Sequence, residues 1–223
     1  MFGFWCFNAG VGFKKIQSLK PRSVIMTSGT LSPLYSFEQE LQVEFKQKLE
    51  NPHVISAEQV NISILKRGML GENLQFDYKS RDNPKMLEDL ALSIGKVSEQ
   101  VPGGILVFFP SYKMLNDCYN AWSNSGAIVG FTKHKKLVKE PRDSSQYQQA
   151  IDDYYSAIYE GERKGAIMMA VCRGRISEGL DFSDDAARMV IIVGIPFPQL
   201  YDARVILKRN YLDSRGISTY GGS

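Results

Sequence analysis

The chain has 223 residues, 43% hydrophobic and 23% charged, with a formal net charge of +3. This is ordinary globular composition, with apolar mass for a true core and room for one large domain or one and a half. The slight positive balance permits a nucleic-acid partner without arguing for one, because such binding needs clustered rather than excess charge.

Three widely spaced cysteines, Cys6, Cys118 and Cys172, form no C-x-x-C pair, which speaks against a zinc or iron–sulfur site in this chain. Their odd count suits a reducing compartment, cytosol or nucleus. The opening MFGFWCFNAGVGF is apolar but too short to span a bilayer, and it lacks the basic start of a signal peptide. The expectation is a soluble, intracellular chain with no membrane partner.

In chain order, Ser23–Thr27 reads as a first buried strand. Ser32-Pro33 then reads as a helix cap with proline at the first helical position, and Leu34, Phe37 and Leu41 fall on one face. Residues 51–82 mix loop signals with a possible edge strand at Gln59–Leu65. Asn83-Pro84 repeats the capping device ahead of Met86, Leu87, Leu90, Ile94 and Val97. The apolar run Gly104–Phe109 predicts a second strand, after which Ser111 caps a helix carrying Met114, Leu115, Cys118 and Trp122. Residues 124–145 read as loop and carry Lys133-His134-Lys135-Lys136.

A further helix over Gln146–Tyr159 turns Ile151, Tyr154, Tyr155 and Ile158 inward, with Gly161 near its end. Ala166–Val171 and Met189–Val193 complete four apolar runs. None alternates polar with apolar, so each is expected to be covered on both faces, as in a parallel sheet between helical layers. Strands alternating with helices imply right-handed crossovers and an open, mostly parallel α/β sheet with helices on both faces. No repeat or low-complexity tract is present, and the Gly- and Ser-rich tail from Asp213 to Ser223 is expected to be disordered.

Each apolar run ends in a small polar or proline-marked turn: Ser28-Gly29-Thr30, Pro110-Ser111-Tyr112, Arg173 to Asp181, and Gly194 to Pro198. Ligands of open parallel sheets bind beyond the carboxyl ends of the strands, so these turns should line one crest suited to an anion. Specific nucleotide signatures are missing, since neither G-x-x-x-x-G-K-[ST] nor G-x-G-x-x-G occurs. With only His53 and His134, a histidine-based triad or metal cluster has few candidates. The residues alone describe half of a site.

TSGTLSP (Thr27–Pro33), ILVFFPSY (Ile105–Tyr112) and VCRGRISEGLDFSDD (Val171–Asp185) resemble helicase motifs III, IV and V of the XPD-like, iron–sulfur superfamily 2 DNA helicases. FWCFNAGVGF, LENPHVI (Leu49–Ile55), KEPR (Lys139–Arg142) and GIPFP (Gly194–Pro198) extend the likeness from Phe4 to about Asp213. They point to the branch that holds the regulator of telomere elongation helicase and FANCJ. The resemblance implies a RecA-like fold, and an engine whose two lobes clamp ATP with Mg2+ and move 5′→3′ along single-stranded DNA. On this reading residues 1–32 end the first motor lobe, 33–213 form the second, and 214–223 are a disordered end. The P-loop, the DEAH box and the four-cysteine iron–sulfur domain of the family are expected before Met1. Its Q-x-x-G-R-x-x-R motif, with the arginine finger, is expected after Ser223. The fragment alone is therefore expected to be inactive.

The resemblance also implies roles. Ser28, Gly29, Thr30, Glu178, Gly179 and Asp181 would face ATP or relay its state. Ser111, Tyr112, Arg173, Arg175 and Ser177 would meet DNA, hydroxyls and guanidinium groups to phosphate and the ring to a base. Lys133, Lys135 and Lys136 would add a basic loop near the strand, although charge runs are more often solvated surface. Each role has a plainer counterpart: Ser111 as a cap with Tyr112 packed, Asp184 and Asp185 as solvated acids, Cys172 as a small core residue rather than a reactive thiol. The implied partners are single-stranded or forked DNA and the first motor lobe, in the nucleus. The iron–sulfur cluster would belong to the parent protein. Two other readings stay open: a non-catalytic α/β module binding DNA or protein, and a different Rossmann-like enzyme for a small phosphorylated substrate.

Overall fold

The computed structural model describes residues 3–216 apart from 30, 53, 162–164, 180 and 199–200; Thr30, His53 and the tail from 217 lie outside the described residues. The chain divides into two compact units, Met1–Ile62 with Pro198–Ser223, and Ser63–Phe197. The boundary expected at residue 32 falls inside the first of them.

In the first unit, α1 (Gly10–Ser18) buries Phe13 and α2 (Leu34–Leu41) buries Leu41. Leu34, Phe37 and Leu41 do share the inward side of α2, and Phe37 stacks on Phe45 at 6.1 Å. Ser32 does not cap this helix: the N-cap position is Pro33, with no side-chain cap bond. Ser23–Thr27 is not a strand, and Ile25 is 88% exposed. A strand exists only through a paired neighbour, and none is present for this run among the described residues of its unit. Gln59–Leu65 likewise joins no ladder; a short 3₁₀ turn, Ala57–Gln59, precedes it under a Ser56/Gln59 capping box.

The second unit is built as expected, with additions. Asn83 caps α3 (Pro84–Gln100) by accepting from the Lys85 N–H, and Met86, Leu87, Leu90 and Ile94 are buried along one side. β1 (Ile105–Phe109) leads to α4 (Tyr112–Ser125), whose Ser111 cap accepts from the Met114 N–H. The region read as loop holds a short helix, α5 (Ile128–Thr132), and a strand, β2 (Lys136–Lys139). Neither is long enough to show its periodicity, and the lysines mask the strand. Then follow α6 (Tyr147–Tyr159), β3 (Ala166–Val171), α7 (Arg175–Gly179) and β4 (Met189–Ile192). Back in the first unit, α8 (Ala203–Ser214) takes in Asp213 and Ser214, the start of the expected disordered tail; Asp202 caps it through the Arg204 and Val205 N–H groups.

The sheet has strand order β2-β3-β1-β4, all parallel. Alternate strand residues feed two cores: Ile105, Val107, Phe109, Ile167 and Met169 pack with α3, α4 and α5, while Leu106, Val138, Met168 and Ala170 pack with α6. This is a three-layer α/β/α sandwich. Full coverage holds for β3 but not for the edge strand β4, whose Val190 and Ile192 are 52% and 62% exposed. No described helix of that unit packs over their side.

Candidate nucleic-acid interface

Parallel pairing puts every strand's carboxyl end on the same side. Phe109 pairs with Val171 and Phe108 with Ile192, so the chain segments after β1, β3 and β4 emerge together. The Cys172 N–H donates to Phe109 O and the Val193 N–H to Phe108 O, carrying the register into the turns. This crest is where three of the four expected turns meet.

After β3 the backbone makes a tight change of direction. Arg173 is exposed and adopts φ 61, a left-handed conformation unusual for a non-glycine residue. Its Nη2 donates to Pro196 O at 3.3 Å, tying the loop after β3 to the one after β4. Gly174 is required by proximity: a methyl there would lie 2.8 Å from Val171 O and 2.9 Å from Glu140 Oε1. Arg175 opens α7 and is exposed, and its carbonyl accepts from the Tyr147 hydroxyl. The Ser177 hydroxyl donates to Gly174 O, and Glu178 is exposed. Asp181 is exposed, while its carbonyl accepts from the Tyr155 hydroxyl.

Beneath this loop lies Glu140, only 2% exposed. Its Oε2 accepts from the Val171 N–H at 2.7 Å and its Oε1 from the Ile176 N–H at 3.5 Å. The register explains the reach, because Lys139 pairs with Met169 and the next residue lies alongside the end of β3. Burial first, then the Glu140 charge, push the Tyr112 phenol up; burial and the same charge do so for Tyr147. The Arg142 guanidinium sits 5.3 Å from the Tyr112 ring centroid. Sequence reasoning assigned no role to Glu140 or Arg142. The signals were the place of both residues in the KEPR stretch of the family likeness and an acid followed by proline directly after a short apolar pair.

The structure thus brings Ser111, Tyr112, Arg173, Arg175, Ser177 and Glu178 to one crest. Ser28 and Gly29 belong to the other unit. The lysine cluster is not at the crest. β2 starts at Lys136, so Lys133, Lys135 and Lys136 lie at the amino end of the sheet, the opposite rim. Lys135 is fully buried, its Nζ donating to Gly103 O, and desolvation lowers its pKa; a side chain there cannot meet DNA. Lys136 pairs with Asp153 at 2.9 Å, and Lys133 is exposed. Burial raises the Cys172 thiol, which removes the case for a reactive cysteine.

Residues 94–222 match the model of the helicase C-terminal domain. The chain belongs to that family. Helicase C-terminal relatives include a regulator of telomere elongation helicase 1 homolog of Drosophila mojavensis, 48% identical over 214 residues, covering 96% of this chain and 21% of the relative. The homolog of Aedes aegypti is 46% identical over 209 residues, covering 94% of this chain and 21% of the relative. The chain therefore spans about a fifth of the length of these relatives. They bear out the XPD-like resemblance and its telomere-helicase branch, and the parallel α/β sheet is the RecA-like layout expected of this helicase domain. Among the described residues of this helicase domain and the first unit, no group of His, Cys, Asp and Glu could hold a metal ion, and no helix is long and apolar enough to cross a membrane.

Proposed function

We propose that the chain supplies the second motor lobe, with the end of the first, of an ATP-dependent helicase that moves 5′→3′ on single-stranded or forked DNA. It would work in the nucleus in DNA repair and telomere maintenance. One observation carries the DNA-facing part: Arg142, Arg173 and Arg175 share a crest with the Ser111, Tyr112 and Ser177 hydroxyls. Guanidinium groups and hydroxyls are the usual partners of backbone phosphates, and such contacts position a strand without reading its sequence.

The cofactors fit this chain less well. ATP with Mg2+ needs a cradle of free backbone N–H groups and a lysine for its phosphates. Here the N–H groups of Val171 and Ile176 are already taken by Glu140. Among the described residues of the crest, the exposed acids Glu178 and Asp181 lie in the same loop as Arg173 and could face a nucleotide. No hydrolytic step is assigned to these residues, and ATP with Mg2+ would be held mainly by the first motor lobe. The iron–sulfur cluster would also be held elsewhere in the parent protein, since Cys118 is buried in the helical core while Cys6 is exposed.

The reading is tested on the purified 223-residue chain with a fluorescein-labelled oligothymidylate. Binding should weaken with salt, and Arg175→Ala should reduce the slope of log affinity against log salt by about one. The chain alone should show no DNA-stimulated phosphate release. Absence of binding, or phosphate release by the chain alone, would refute the proposal.

A further inference from the structure

We propose that Glu140 is a positioning residue for DNA binding: its buried carboxylate locks the Arg173–Glu178 loop to the end of β2, whose next residues set Arg142 against Tyr112, so that Arg175 and Tyr112 form one surface. The inference rests on the DNA-facing reading of the crest given above.

A carboxylate that is 2% exposed must have its oxygens satisfied, since an unpaired buried charge is strongly unfavourable. A purely local role would satisfy it within its own turn. Glu140 instead bonds two separate elements, and its own turn reaches a third. Its Oε2 takes the Val171 N–H at the end of β3, and its Oε1 takes the Ile176 N–H inside α7. The Tyr112 phenol at the start of α4 lies close enough for this charge, after burial, to push its pKa up. The backbone then returns through Pro141 to Arg142, whose guanidinium lies over the Tyr112 ring. Gly174 completes the fit, because any side chain there would collide with the carboxylate. The turn after β3 is thus fastened to one buried group that does not itself reach the surface, and the turn after β1 is met by Arg142, two residues along. Such support fixes the surface residues that make contact.

The position has a consequence with a distinctive sign. Through space, a negative charge under a DNA-binding crest repels the strand, so neutralising it should tighten binding. If Glu140 acts by positioning, neutralising it must weaken binding, because Gln offers a single acceptor and sets its amide hydrogens against N–H donors. The test uses the 223-residue chain, labelled oligothymidylate and a thermal melt for each variant. Glu140→Gln is expected to weaken binding about tenfold, the equivalent of one charged hydrogen bond. The salt slope should fall by up to about one, as for Arg175→Ala, because the phosphate contact that Glu140 seats is the one lost. Glu140→Asp keeps the charge but is one methylene shorter, and it should fall between wild type and Gln; it carries the test if the Gln variant does not fold. Unchanged or tighter binding by either folded variant overturns the inference. Failure of both to fold makes Glu140 a stability residue and overturns it too. A wild-type chain that binds no DNA removes the reading beneath it, an outcome separate from either of these.

Discussion

At the scale of single residues, the crest is held by a side chain that reasoning from motifs passed over and by one glycine that makes room for it. Gly174 stands where a methyl would press on Val171 O and Glu140 Oε1 at under 3 Å. One of these is backbone in a fully buried strand and the other is a carboxylate held from several sides, so neither can give way cheaply. Gly174→Ala should therefore destabilise the chain by about 1–3 kcal/mol, as overpacking does. The melting temperature should drop by about 2–4 °C for each kcal/mol lost. The same substitution should weaken oligothymidylate binding, since the displaced atoms are those that seat Arg175. Differential scanning calorimetry and anisotropy on one sample read both. A stability unchanged from wild type would show that the loop is looser than its packing indicates.

At the scale of elements, capping chemistry decides what holds. The Asp89 carboxylate, buried in the middle of α3, accepts from the Leu70 and Glu72 N–H groups at 2.8 and 2.9 Å, and the Ser93 hydroxyl donates to Asp89 O. It fastens the 68–72 turn to the helix, with Gly68 packed so closely that a methyl would overlap the carboxylate. Asp89→Ala should leave two N–H groups unpaired and lower stability by about 2–4 kcal/mol, with faster amide exchange at Leu70 and Glu72 while β3 keeps its protection. Exchange unchanged at both amides would mean that the turn holds itself. The same logic explains what could be read in advance. Ser111 and Asn83 announce α4 and α3 because each cap precedes a long apolar stripe. α5 and β2 escaped because five and four residues carry too little periodicity, and Lys135 looked like surface although it is buried. Ser23–Thr27 misled in the other direction, since apolar content promises a strand only where a neighbour can pair with it. Of the site, the cations and hydroxyls were legible as a motif. Glu140 was not, because its importance comes from strand register rather than from any local pattern.

At the scale of the whole sheet, parallel pairing separates charge into two rims with different uses. The Ser63–Phe197 unit carries Arg142, Arg173 and Arg175 at the carboxyl ends of its strands and Lys133, Lys135 and Lys136 at the amino ends. A five-residue strand rises about 3.3 Å per residue, so the rims are about 15 Å apart, beyond the Debye length of about 8 Å at physiological salt. Lysines at the far rim are thus screened from a strand lying on the crest. Lys136 is further committed to Asp153, and Lys135 to Gly103 O. Exposed Lys133 is the informative one to change. Lys133→Ala should alter affinity for oligothymidylate by less than about twofold and leave the salt slope at its wild-type value. Arg173→Ala on the crest should weaken binding and also reduce that slope by about one. A salt titration of the two variants beside wild type measures both. If Lys133→Ala reduced the slope as Arg173→Ala does, the strand would run along the amino rim, and the side of the sheet that meets DNA would have to be reassigned.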